Sequence, residues 1–166
     1  MVTRHNIQLS YTSDDLQMIR GNFNADLFLP GDFETLFLDP PSNITSFPQA
    51  MNLFYDNYGL SKLEIPYIIT VFEGTAGYSI VSDHVIAEEF NTPWLASDPV
   101  FPNARSVEGI KRLLEYTTGR ILDPFAGAGS TLIAARQLGR EAVGLEPVDR
   151  CHDMFLTALE KHGDPS

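Results

Sequence analysis

The chain has 166 residues, 43% of them hydrophobic, and a formal net charge of -11. That length suits one domain with its own core, and that hydrophobic content excludes a wholly disordered chain. Phosphate contacts dominate nucleic-acid affinity, so the acidic balance argues against tight, unaided binding to duplex DNA.

The charge is uneven: residues 1–103 hold three basic and thirteen acidic residues, and residues 104–166 hold eight and nine. Arg105, Lys111, Arg112, Arg136 and Arg140 could make a local basic face, or could be scattered solvated cations. The start, Met-Val-Thr-Arg-His-Asn, has no apolar signal region, and no apolar run is long enough to span a membrane. Cys151 is alone, which rules out an intrachain disulfide. The expectation is a cytoplasmic protein with one domain over residues 1–166 and no separate target-recognition domain.

In chain order, Ile7–Tyr11 alternates and predicts an edge strand. Ser13-Asp14-Asp15 predicts the cap of a short helix running through Ile19 and closed by Gly21. Ala25–Leu29 reads as a strand ended by Pro30-Gly31. Thr35–Asp39 is a short apolar run of the kind found in buried parallel strands. It leads into Asp39-Pro40-Pro41-Ser42-Asn43. Pro48 suits the first turn of a helix that carries Ala50, Leu53, Phe54 and Tyr58 and stops at Gly59.

Tyr67–Phe72 is β-branched and aromatic and predicts a buried strand. A loop over Glu73–Gly77, a strand over Tyr78–Val81 and a short helix over Asp83–Phe90 follow, then irregular structure over Thr92–Phe101. Ser106 predicts an N-cap for a helix with Val107, Ile110, Leu113 and Leu114 on its apolar face. Asp149 predicts the cap of a last helix with Cys151, Met154, Phe155, Ala158 and Leu159 inward, ended by Gly163. The four histidines have no spacing with cysteine that suggests a metal.

Arg120–Glu146 organises the rest. Ile121 and Leu122 end a strand, Asp123-Pro124 stop it, and Gly127 and Gly129 permit a sharp turn with room for a ligand. Ser130 and Thr131 open a helix with Leu132, Ala135 and Leu138 on one face, ended by Gly139. Ala142–Leu145 is a second strand, with Glu146 at its carboxyl end. Ligands of open parallel sheets bind outside that end, beside helix N-termini. A carboxylate there can accept two hydrogen bonds from a diol. A dinucleotide fingerprint would need a third glycine where this chain has Leu132.

The run Asp123-Pro124-Phe125-Ala126-Gly127-Ala128-Gly129-Ser130-Thr131 resembles the glycine motif of S-adenosylmethionine-dependent DNA amino-methyltransferases. Asp39-Pro40-Pro41-Ser42 resembles their catalytic motif, in which an aromatic residue normally follows the prolines. The catalytic motif comes about eighty residues before the glycine motif, as in a permuted class of that family.

The resemblance implies a Rossmann-like α/β fold: a twisted, mostly parallel sheet with helices on both faces. It implies S-adenosyl-L-methionine as cofactor, held by Asp123, Pro124, Phe125, Ala126, Gly127, Gly129, Ser130 and Glu146. It implies methyl transfer to an exocyclic amino nitrogen of adenine or cytosine in DNA, with Asp39, Pro40, Pro41 and Ser42 at the reacting centre. The implied partner is DNA, either single-stranded or engaged with the help of a partner protein. Ser42 has no ring to stack on a flipped base; Phe47 or Phe33 is the candidate substitute. The alternative is a degenerate, cofactor-binding fold acting as an interaction or regulatory subunit.

Overall fold

The computed structural model describes residues 7–40, 43–72, 75–80, 85–91 and 105–162, with the side chains of 75–80 and 85–91 excepted. Its described strands are β1 (Gln8–Thr12), β2 (Leu16–Arg20), β3 (Thr35–Leu38), β4 (Tyr67–Phe72), β5 (Thr75–Ile80), β6 (Val85–Asn91), β7 (Ile121–Asp123) and β8 (Ala142–Glu146). They form one sheet in the order β1-β2-β8-β7-β3-β4-β5-β6. The five central strands, β2, β8, β7, β3 and β4, are parallel. β1 adds antiparallel at one edge, and β5 and β6 add antiparallel at the other. The fold is the mostly parallel, Rossmann-like α/β sheet that the two motifs imply.

Both faces of the sheet are covered, and the alternation along each strand shows it. Ile19, Leu36, Leu38, Ile68, Leu122, Val143 and Leu145 point into one core. It is closed by α1 (Phe47–Ala50), which runs on as a π-helical stretch over Met51–Asn57. Leu16, Met18, Phe37, Ile69, Ile121 and Ala142 point into the other. It is closed by α2 (Val107–Leu114), α3 (Ser130–Gln137) and α4 (Asp149–His162). Strands buried on both faces have no polar side to show, which is why β3, β7 and β8 read as largely apolar runs.

Several elements differ from their sequence reading. Leu16–Arg20 is strand β2, not a helix: Leu16, Met18 and Ile19 are buried, and the segment pairs in parallel with β8 along its whole length. Ser13 does cap, but it caps a turn; its Oγ accepts the Leu16 N–H at 3.1 Å. Ala25–Leu29 is not a strand, because Asn24 accepts the Asp26 N–H and starts a 3-10 turn over Ala25–Leu27. Of the helix expected over Asp83–Phe90, the described part from Val85 is strand: Val85–Asn91 is β6, laid antiparallel against β5. Thr92–Phe101, His84 and Gly163 lie outside the described residues.

Two crossovers set the position of the site. α3 carries the chain from β7 to β8 over one face, and α1 carries it from β3 to β4 over the other. β7 and β3 are neighbours and parallel, so the connections diverge between them. Such a switch point leaves a crevice at the carboxyl ends of the two strands, where open α/β sheets take their ligands.

Candidate functional site

Both motifs open into that crevice. Asp39 is the first residue past β3, and Asp123 is the last residue of β7. A cavity of about 100 Å3 is lined by Asp39, Arg105, Asp123, Phe125 and Gly127, with Ala126, Ser130 and Thr131 among its walls. It is smaller than the roughly 300–1,000 Å3 of a complete small-molecule pocket, so it marks the cleft between the motifs and not a whole ligand envelope.

The glycine turn is built from backbone geometry. Ala126 N–H donates to the Leu145 carbonyl at 3.0 Å, which ties the turn to β8. Gly127 has φ +55, and a Cβ there would meet nothing within 4 Å. Its free side is therefore open space facing the crevice. Gly129 has φ +81, and a Cβ there would run into the Phe155 ring. The room expected for a ligand at Gly129 is thus taken by α4. Gly144 of β8 is crowded as well, with Ala126 Cβ at 2.8 Å and Leu132 Cδ1 at 2.9 Å from a built Cβ. The turn and α3 press directly on the strand below.

Three carboxylates surround this turn. Glu146 is buried at the end of β8; its Oε1 accepts the Gly127 N–H at 3.0 Å and its Oε2 the Val148 N–H at 2.9 Å. A carboxylate has about four lone-pair sites, so two remain for hydroxyl donors. Asp123 is 2% exposed. Burial pushes its carboxyl up to about 7; bonds from Thr131 and the Phe125 N–H oppose the shift, and the charges of Asp39 and Glu146 add to it. Asp39 is paired with Arg105 through two bonds, Nε to Oδ2 at 2.9 Å and Nη2 to Oδ1 at 3.1 Å. Arg105 immediately precedes Ser106, whose Oγ accepts the Gly109 N–H and caps α2 as its sequence predicts.

Of the residues singled out by sequence, the crevice gathers Asp39, Asp123, Phe125, Ala126, Gly127 and Ser130. Glu146 reaches it through its bond to Gly127. Pro40, Pro124 and Gly129 are not among the lining residues, and Pro41 and Ser42 lie outside the described residues. The suggested replacements for the missing ring are both in the core: Phe33 is 1% exposed with its edge against Phe28, and Phe47 is 5% exposed. The aromatic lining the cavity is Phe125, set edge-on against Phe54 with centroids 4.7 Å apart.

The proposed basic face does not hold together as a free surface. Arg136 pairs with Asp15, Lys111 with Glu108, and Arg140 donates to the Gly119 and Leu114 carbonyls. Arg105, by contrast, lies in the site, paired with Asp39.

Comparison with known proteins matches this architecture. The family model for DNA methylases matches residues 69–156, just over half of the chain. The chain belongs to the DNA methylase family. Over 54 residues, 31% of this chain, it is 41% identical to YubD of Escherichia coli (strain K12), a protein named as a methylase. That match spans 24% of YubD's own length. Among solved structures, M1.HpyAVI, crystallised as a complex with SAM, superposes with a TM-score of 0.50. It covers 87% of this DNA methylase chain and 100% of M1.HpyAVI, at 15% identity, a likeness of fold. TTHA0409 of Thermus thermophilus, named a DNA modification methylase and solved with S-adenosyl-L-methionine, gives a TM-score of 0.48 at 16% identity. That superposition covers 81% of this chain and 88% of TTHA0409.

Proposed function

We propose that this chain transfers a methyl group from S-adenosyl-L-methionine to an exocyclic amino nitrogen of adenine or cytosine in DNA. One observation carries the reading: Asp39 and the Asp123–Thr131 turn, about eighty residues apart in sequence, line one crevice at the sheet's switch point. Their order in the sequence supports the permuted class, and we read residues 1–166 as one methyltransferase-like domain. Among the described residues no helix is long and apolar enough to cross a membrane. A DNA substrate goes with a cytoplasmic setting.

The residues present fit the cofactor. Gly127 lines the cleft, and a Cβ there would project into open space. Glu146 keeps acceptor sites for the ribose hydroxyls, and its carboxylate is fixed by two backbone donors. Asp123 and Ser130 face the same cleft. When bound, the cofactor supplies a methyl group on a sulfonium, which passes to the nitrogen lone pair while sulfur keeps the C–S electron pair and nitrogen releases one proton to water. Asp39 accepts a hydrogen from the amino group and turns its lone pair toward the cleft. Pro40 follows with its φ fixed and no N–H to compete for that acceptor. Phe125 offers an apolar wall beside Asp39 and helps keep water out.

The second reading, a non-catalytic subunit, is favoured by Ser42 and by the acidic first hundred residues. Transfer of labelled methyl to unmethylated single- and double-stranded DNA, followed by nucleoside analysis, separates the two. Labelled methyladenine or methylcytosine supports the enzyme and identifies the base. Cofactor binding with no transfer to either DNA supports the subunit.

A further inference from the structure

We infer that Arg105 is the positioning residue of the acceptor carboxylate: its guanidinium fork sets the orientation of Asp39 toward the amino nitrogen. This rests on the methyl-transfer reading above. The observation is the bidentate pair, with bonds of 2.9 and 3.1 Å to the two oxygens of Asp39 across 66 residues of chain. A planar guanidinium engaging both oxygens fixes the plane of the carboxylate as well as its place, which a point cation cannot do. The fork uses one lone pair on each oxygen. A carboxylate has about four such sites, so an acceptor remains on each side for an amino hydrogen.

The setting makes that restraint necessary. Asp39 stands just past the last residue of β3 and not within a strand, so the ladder of the sheet does not hold it. It shares the cleft with Asp123, and Glu146 lies one hydrogen bond behind the Gly127 wall. Among the described lining residues, Arg105 is the one cation facing these acids. Its side chain is 35% exposed and that of Asp39 is 20%, so water screens the pair less than a surface one. Alignment matters greatly here, because a misplacement of about 1 Å at a reacting centre costs on the order of 100-fold in rate.

The test compares wild type, Arg105→Lys and Arg105→Met in two measurements: kcat for methyl transfer to DNA, and the Kd for S-adenosyl-L-methionine by calorimetry. Arg105→Met is expected to lower kcat about 100-fold, with the cofactor Kd changed less than about twofold. Arg105→Lys restores the charge without the fork and is expected to recover about tenfold of that loss. A third readout needs no turnover: the Arg105 Nε–H resonance of the free protein is expected to be protected from exchange, and to lose that protection in Asp39→Asn. The inference is overturned if Arg105→Met keeps the wild-type kcat. It is overturned equally if the whole loss appears in the cofactor Kd, which would assign the guanidinium to the cofactor's carboxylate. A wild type that binds the cofactor and methylates no DNA overturns the methyl-transfer reading and this inference together. An active wild type with an unaffected Arg105→Met overturns the inference alone.

Discussion

Glu146 and Gly127 are joined by a 3.0 Å hydrogen bond from the glycine N–H to Oε1, which ties the end of β8 to the turn after β7. The same carboxylate takes the Val148 N–H on Oε2. Its orientation is therefore set before any ligand arrives. Hydrogen bonds to a charged group contribute about 1.5–3 kcal/mol each. Glu146→Ala is expected to weaken S-adenosyl-L-methionine binding by about 10- to 100-fold. Calorimetric titration checks this; an unchanged Kd would remove Glu146 from the cofactor site.

Gly127 and Gly129 should respond differently to the same substitution. Gly129→Ala drives a Cβ into the Phe155 ring at a φ of +81. Left-handed strain of about 1–2 kcal/mol and overpacking of about 1–3 kcal/mol add there, so a fall in Tm of several degrees is expected. Gly127→Ala meets no atom within 4 Å. At its φ of +55 it is expected to carry left-handed strain of about 1–2 kcal/mol without the overpacking, while weakening cofactor binding at least tenfold. Thermal unfolding and titration of both variants decide it; equal stability losses would contradict the assignment of Gly127 to ligand space.

Asp123 makes stability depend on pH. Its carboxyl is raised from an ordinary 3.8 to about 7, chiefly by burial. Between those values the folded protein holds a proton that the unfolded chain has lost, so this group's contribution falls as pH rises from about 4 to about 7 and is level above. Urea unfolding of wild type and Asp123→Asn across that range checks the sign. The wild-type midpoint should decline relative to the variant, and a difference that grows with pH in the opposite direction would refute it.

His152 is a buried strut. Fully enclosed, it bonds through Nε2 to the Glu146 carbonyl at 2.7 Å and through Nδ1 to the Ser10 hydroxyl. A carbonyl can only accept, so Nε2 carries a hydrogen and donates it to Glu146. Through these bonds α4 ties β1 to the end of β8. His152→Leu removes both bonds and is expected to cost about 2–3 kcal/mol, read by urea unfolding at constant m-value.

The sequence by itself determined the central strands and the cofactor turn. Thr35–Leu38, Tyr67–Phe72, Ile121–Asp123 and Ala142–Glu146 are buried on both faces, so their apolar runs carry their own signal. The glycine turn is equally local, because Gly127 and Gly129 are needed for backbone conformations that side chains rarely adopt.

Only the tertiary structure decided the rest. Leu16–Arg20 and Val85–Asn91 follow capping or polar residues and read as helices, but their partners β8 and β5 make them strands. Strand propensity depends on the neighbour, and the neighbour is not in the segment. Phe33 and Phe47 went to the core instead of the site, since burying a ring outweighs any local preference for the surface. The meeting of Arg105 with Asp39 has no local signature. It follows from two crossovers on opposite faces of the sheet, which bring the ends of β3 and β7 together with the residue before α2.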